Sequence, residues 1–272
     1  FVPDEYIQGK NVLFPKHVSY QLAKVLRISV GDHVVVFDGS GLEYTVSIEQ
    51  ISRSECVGHV LNTSMVNKET SLNIHLYQAL IKPDRYEYVL QKGVEIGVSA
   101  FTPFTCTRSE IRDVSSNRIR RWNSIITEST EQSGRTRLPL LNDILTFSEA
   151  LDSANGMVLI PWEEEHQMGI KDVFKTVRRE EISEISIFIG PVGGFTSNEI
   201  NEAKGNYNNG AFCFPTHTPQ VAVYNDFLRL CAFSVCSDFV FLIKLRLLSV
   251  CYSQPIQISR IYSIWYPCPN AS

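Results

Sequence analysis

The chain has 272 residues, 44% of them hydrophobic and 20% charged, with a formal net charge of −4 at pH 7. That composition suits a globular protein with room for one large or two ordinary domains, and it excludes a disordered or fibrous chain. The net acidity excludes nucleic-acid binding through the overall field, so any RNA contact must come from a local patch of Lys and Arg.

The seven cysteines are odd in number and show no CxxC or Cys/His ligand spacing, so neither a metal site nor a disulfide framework is expected. No basic segment followed by an apolar run opens the sequence, and a reducing cytoplasm is the expected compartment.

From Asn11 to about Leu61 the pattern alternates with period two and is rich in β-branched residues, as in His33-Val34-Val35-Val36-Phe37 and Tyr44-Thr45-Val46-Ser47-Ile48. With Asp38-Gly39-Ser40-Gly41 between them these segments predict a hairpin, and several such strands a small barrel. One helical stretch interrupts it, with Val18, Leu22, Val25 and Leu26 expected on one face and an end near Arg27. Polar residues from Asn62 to Thr70 read as a linker, which divides a first domain over 1–66 from a second over 71–230.

Beyond the linker, strands are expected over 72–79, 100–105, 157–161 and 185–190, alternating with helices over 85–96, 118–132 and 169–177. Such alternation implies a parallel sheet covered by helices. Asp84 stands where a helix cap would, Lys92 and Glu95 share a helix face, and Gly97 and Gly134 sit as helix stops.

The sharpest local signal is Ile189-Gly190-Pro191-Val192-Gly193-Gly194-Phe195-Thr196-Ser197-Asn198-Glu199-Ile200, a glycine-rich turn leaving a buried strand and entering a helix. Ligands of open parallel sheets bind beyond the strand C-termini, where missing side chains let the backbone approach them. Ser197 could cap the helix, and the same residues also suit an ordinary strand-to-helix turn. It is neither a P-loop nor a GxGxxG fingerprint. A second cluster, Gly134-Arg135-Thr136-Arg137, joins Arg108, Arg112, Arg118, Arg120 and Arg121 in the one strongly basic stretch, diluted by Glu110, Asp113, Glu128 and Glu131. It reads either as a solvated helix face or as a phosphate contact.

Taken in order these pieces resemble one family. Val25-Leu26-Arg27, Gly31-Asp32 and Phe37-Asp38-Gly39 look like the PUA-like RNA-binding barrel of the SPOUT-superfamily 16S ribosomal RNA uridine-N3 methyltransferases. Lys82-Pro83-Asp84-Arg85, Gln91 to Val98, Pro103, Thr107-Arg108-Ser109, Glu131 to Arg135 and Gly190 to Ile200 follow the same family through its methyltransferase domain. The resemblance implies an α/β fold: a PUA-like β-barrel followed by a SPOUT domain with a parallel sheet and a C-terminal trefoil knot. It further implies S-adenosylmethionine as cofactor, the small ribosomal subunit and its 16S rRNA as partner, and a homodimer; no membrane association is expected, because Arg229, Asp238, Lys244 and Arg246 break every apolar window that would span a bilayer. On that resemblance Pro161, Ile189, Gly190, Pro191, Val192, Gly193 and Gly194 would line the cofactor, Arg27, Arg108, Arg112, Arg135 and Arg137 would contact RNA, and Arg135 would also be catalytic.

Two features depart from the family. Val192 stands where it carries Glu, and Ala211 to Phe227 matches none of the segment that completes the knot. From Ala211 onward there is no Gly and no Glu, and the segment over 231–272 reads as an atypical apolar tail, as if translated out of frame. That reading carries an alternative function, an RNA-binding protein of the same family impaired in catalysis by loss of its cofactor segment.

Overall fold

A computed structural model of the chain describes residues 1–66, 69–166, 182–206 and 211–214. The helix expected over 169–177, the segment expected to complete the knot and the tail over 231–272 lie outside them.

The first part is an antiparallel sheet of β1 (Ile7–Gln8), β2 (Asn11–Phe14), β3 (His33–Phe37), β4 (Leu42–Ile51) and β5 (Cys56–Met65), in the order β1-β2-β5-β4-β3. Period-two alternation puts Tyr44, Val46 and Ile48 of β4 on its inner face, where they pack with Val12, Phe14, Val36 and Val60. The expected hairpin is present, and its turn is held by Asp38, whose Oδ1 accepts from Ser40 N at 2.8 Å. Gly39 and Gly41 take φ of 91° and 106°, which an L side chain rarely adopts.

The expected helix starts as α1 (Lys16–Tyr20) but continues as a wide turn over Gln21–Val25, in which Leu26 N donates to Gln21 O. This five-residue closure shifts the helical register. Leu22 remains buried, whereas Val25 and Leu26, expected on the same buried face, are exposed.

The second part is a parallel sheet of β6 (Asn73–Ala79), β7 (Ala100–Thr105), β8 (Leu140–Leu141), β9 (Leu145–Thr146), β10 (Met157–Pro161), β11 (Glu184–Ile189) and β12 (Phe212–Phe214). Its order is β12-β10-β11-β6-β7-β8, with β9 also pairing β7. Helices α2 (Pro83–Ile96) and α3 (Ser116–Ser133) cover one face, packing Tyr86, Leu90, Trp122 and Ile126 on Leu76, Leu80 and Ile187. Helices α4 (Phe147–Ser153) and α5 (Ser197–Asn206) cover the other, packing Phe147, Ile200 and Ala203 on Tyr77, Phe104 and Phe188. The expected stops are present, Gly97 and Gly134 closing α2 and α3 at φ 99° and 68°. Lys92 and Glu95 pair at 2.8 Å. Lys82, not Asp84, occupies the α2 cap position: with Pro83 at the first helical position, Asp84 falls inside the first turn.

At the N-terminal end of the strands His75 stacks on Tyr77 at 4.1 Å, and its Nε2 lies 2.7 Å from Thr102 Oγ1, which also accepts from Asn142 Nδ2 at 2.9 Å. The amide donates into this group, so a neutral imidazole accepting from the Thr102 hydroxyl satisfies it and a protonated one does not. Burial accordingly pushes His75 down to about 4. The folded state then binds fewer protons than the unfolded chain between the ordinary histidine value and about 4, so stability falls as pH drops through that window. Discounted for partial exposure, wild type is expected to lose about 1–2 kcal/mol more than His75→Gln between pH 7 and pH 4, measured by urea midpoints.

Candidate functional site

Neighbouring strands β6 and β11 deliver the chain to helices on opposite faces, β6 to α2 and β11 to α5. A parallel sheet opens a crevice at such a switch point, beyond the strand C-termini. The segment leaving β11 there is Gly190 to Thr196.

Its glycines are required by what surrounds them. A Cβ on Gly190 would lie 3.0 Å from the Phe195 ring, one on Gly193 would lie 3.2 Å from Arg108 Cβ, and Gly194 takes φ of 70° with the Glu163 carboxylate where a Cβ would project. Glu163 follows β10, so the loops after β10 and β11 meet at Gly194.

The loop after β7 holds the glycine turn from its other side. Arg108 Nη1 donates to Gly193 O at 2.7 Å and to Phe195 O at 3.3 Å. Glu199 is buried in the first turn of α5 and accepts from Thr196 N and Thr107 N, both at 2.8 Å, and from Thr196 Oγ1 at 2.9 Å. Burial pushes its carboxyl up, but the bonds from Thr107 and Thr196 outweigh that and hold it below its ordinary value. Ser109 Oγ accepts from Cys106 N at 3.0 Å and tightens the same loop.

The cap of α5 is therefore Thr196 rather than the expected Ser197, because the reciprocal Thr196–Glu199 bonds close a capping box one residue earlier. That motif was open to inspection in the sequence; the reach of Glu199 to Thr107 was not. A further polar residue near the C-terminal end of β6 is Gln78, 1% exposed and paired in register with Ile189. Its Nε2 donates to Ala79 O at 3.0 Å, while its buried Oε1 has no hydrogen-bond partner among the described residues.

The structure brings Ile189, Gly190, Pro191, Gly193 and Gly194 to this crevice, with Pro161 ending β10 beside β12 and Val192 39% exposed on the turn. Arg108 joins them as a brace on the turn, and exposed Arg112 donates to Thr107 O at 3.3 Å. Arg27 stands apart on the helical connection of the antiparallel sheet, exposed, with φ of 55°.

Arg135 occupies a different place. It is 8% exposed, its Nε and Nη2 donate to Glu69, and its Nη1 donates to Val94 O and Val98 O at 3.0 and 2.8 Å. The expected direct contact with RNA or uracil is corrected by this geometry, since the guanidinium is spent on the end of α2 and the approach to β6. Arg137 is exposed, and its backbone pairs with the hairpin turn at Gly39 and Ser40, so the 134–138 loop docks the two sheets together.

Because Arg108 shapes two carbonyls of the turn, Arg108→Met is expected to weaken S-adenosylmethionine binding about tenfold by titration calorimetry, the worth of one charge-assisted bond. Its melting temperature should move little, since the side chain is exposed.

Comparison with known proteins follows the same lines. A family model described as an RNA methyltransferase domain matches residues 68–210, and one described as an RNA methyltransferase PUA domain matches residues 22–61. The ribosomal RNA small subunit methyltransferase E of Bacillus subtilis is 27% identical over 188 residues, covering 66% of this chain and 73% of its own. A Legionella pneumophila protein described as a methyltransferase, solved with bound S-adenosylmethionine, superposes with a TM-score of 0.70 at 25% identity, covering 85% of this chain and 94% of its own. The S-adenosylmethionine-bound ribosomal RNA small subunit methyltransferase E of Neisseria gonorrhoeae shares the fold, with a TM-score of 0.67 at 24% identity over 81% of this chain and 91% of its own. With the first model spanning more than half of its residues, and the PUA match lying on the antiparallel sheet ahead of it, the chain belongs to the RNA methyltransferase family.

Proposed function

We propose that the chain transfers a methyl group from S-adenosylmethionine to N3 of a uridine in small-subunit ribosomal RNA. The observation that carries this reading is the turn at Gly190–Gly194, at the switch point of the parallel sheet, fastened to the loop after β7 through Arg108 and Glu199 and met by Glu163 from the loop after β10. Relatives named for small-subunit ribosomal RNA methylation support the substrate class, and two solved neighbours carry the cofactor.

The residues present fit that cofactor. Gly190, Gly193 and Gly194 let the turn lie against Phe195, Arg108 and Glu163 without side chains of its own, so a ligand beyond the strand ends would meet backbone there, with Pro161 and Ile189 ending the strands beneath and Pro191 and Val192 completing the turn. When bound, the cofactor supplies an electrophilic methyl group on a sulfonium sulfur. The protein supplies placement, holding the donor and a single base in line. Uracil N3 lies on the pairing edge, so the target nucleotide enters unpaired or flipped. It bears a weakly acidic proton, which must pass to water as the N3–methyl bond forms, and the positive charge of Arg112, on the loop after β7, would favour the anion.

The antiparallel sheet, with Arg27, is proposed to carry phosphate contacts, and Arg137 to add to them at the junction. A pair of chains forming a homodimer belongs to the same reading. The impaired alternative is not favoured, because the match to the RNA methyltransferase domain model runs over residues 68–210, through the whole glycine turn.

The test is methyl transfer from labelled S-adenosylmethionine to small ribosomal subunits lacking the modification. Label in 3-methyluridine after digestion of the 16S rRNA is the expected result. Label elsewhere, or none from folded protein that binds the cofactor, would remove the substrate assignment.

A further inference from the structure

A polar side chain inside a packed sheet is tolerated when its groups are satisfied, and a buried acceptor left unmade costs free energy. Gln78 violates that rule on one atom only. Its Nε2 is bonded to Ala79 O, which fixes the amide orientation and leaves Oε1 as the group without a partner among the described residues. Leu76 of β6 and Leu80, just past its end, are apolar and pack with α2 and α3, so packing alone gives no reason for an amide between them.

Position supplies one. Gln78 pairs with Ile189, the last residue of β11, and the Ala79 bond draws its amide towards the C-terminal end of β6. That is the level at which Gly190 leaves the sheet and the crevice opens. We propose that Gln78 Oε1 accepts a hydrogen bond from an N–H of the methyl-donor cofactor; this rests on the methyltransferase reading above.

Chemistry narrows the donor. The N3–H of the target uracil is excluded, because the sulfonium methyl must occupy the direction in which that bond points, and an amide oxygen there would block it. The cofactor itself offers two N–H groups, the adenine amine and the α-ammonium, and either would satisfy a neutral amide oxygen. An empty acceptor that only the correct ligand fills also discriminates, since an analogue lacking the N–H leaves it unmade.

The experiment uses the full chain and three ligands: S-adenosylhomocysteine, its inosyl counterpart without the adenine amine, and its desamino analogue without the α-ammonium. Each is titrated by calorimetry into wild type and Gln78→Met, which keeps the length of the side chain and removes the acceptor. The expected result is that wild type binds one of the two analogues about tenfold more weakly than S-adenosylhomocysteine, and that Gln78→Met weakens S-adenosylhomocysteine about tenfold and loses that discrimination. Which analogue is discriminated identifies the donor.

Equal binding of S-adenosylhomocysteine by both proteins would overturn the proposal, as would a uniform loss for all three ligands. Should Gln78→Met fail to fold, Gln78→Leu repeats the test, and equal binding of all three ligands by wild type overturns it without any variant. No binding of S-adenosylhomocysteine by folded wild type removes the methyltransferase reading itself, a separate outcome.

Discussion

Arg135→Ala is expected to lower the unfolding free energy by about 3–5 kcal/mol, measured by chemical denaturation, because it leaves a largely buried carboxylate without its partner. Glu69 and Arg135 meet at 2.6 Å with side chains 15% and 9% exposed. The same substitution also strips Val94 O and Val98 O, at the end of α2, of the Nη1 donor they share. Glu69 further accepts from Arg137 N, and Thr136 Oγ1 donates to Val66 O, so the loop that Arg135 anchors is the one on which the hairpin turn rests. Lysine at this position would restore charge but not the fork that reaches a carboxylate and two carbonyls together, and Arg135→Lys should recover less than half of the loss. If Arg135 acted on the RNA instead, Arg135→Ala would leave stability intact and depress only methyl transfer.

Glu199→Ala is expected to cost about 2–4 kcal/mol and to weaken the methyl donor more than tenfold. It removes the acceptor for Thr107 N and Thr196 N and abolishes the capping box of α5. Two loops lose their common fastening, so the damage reaches the glycine turn although Glu199 itself faces away from solvent. Glu199→Gln keeps one accepting oxygen and should fall between. Because the folded carboxyl is held below its ordinary value, its contribution is complete at neutral pH and disappears as the pH falls through that lowered value. The acid limb of a stability profile should therefore be shallower in Glu199→Gln than in wild type, and equal slopes would contradict the clamp.

Much of the fold was legible because the strands and helices of the second part obey simple periodicities. Apolar runs such as Ile185–Ile189 are buried on both faces, and helices stop where Gly97 and Gly134 allow left-handed backbone. The misreadings share one cause, that local pattern carries no record of three-dimensional partners. Val25 and Leu26 kept helical spacing, yet a wide turn carried them to the surface. Arg135 was expected to contact RNA on the family resemblance, and the acid it meets is 66 residues earlier in the chain. Arg108 and Glu199 could be named from their motifs, but that Glu199 reaches Thr107, 92 residues away, beside the Arg108 that grips the same turn, could not. Gln78 carried no signal in the sequence, because β6 also holds Asn73 and His75 and only the fold shows which of these polar side chains is buried.

The most direct test of the site is a calorimetric titration of the full chain with S-adenosylmethionine, in parallel with Glu199→Ala. A glycine turn braced by Arg108 and Glu199 to hold the methyl donor predicts saturable binding of one cofactor per chain by wild type and at least tenfold weaker binding by the folded variant. Heats indistinguishable from dilution for folded wild type, or equal affinity in both proteins, would contradict it.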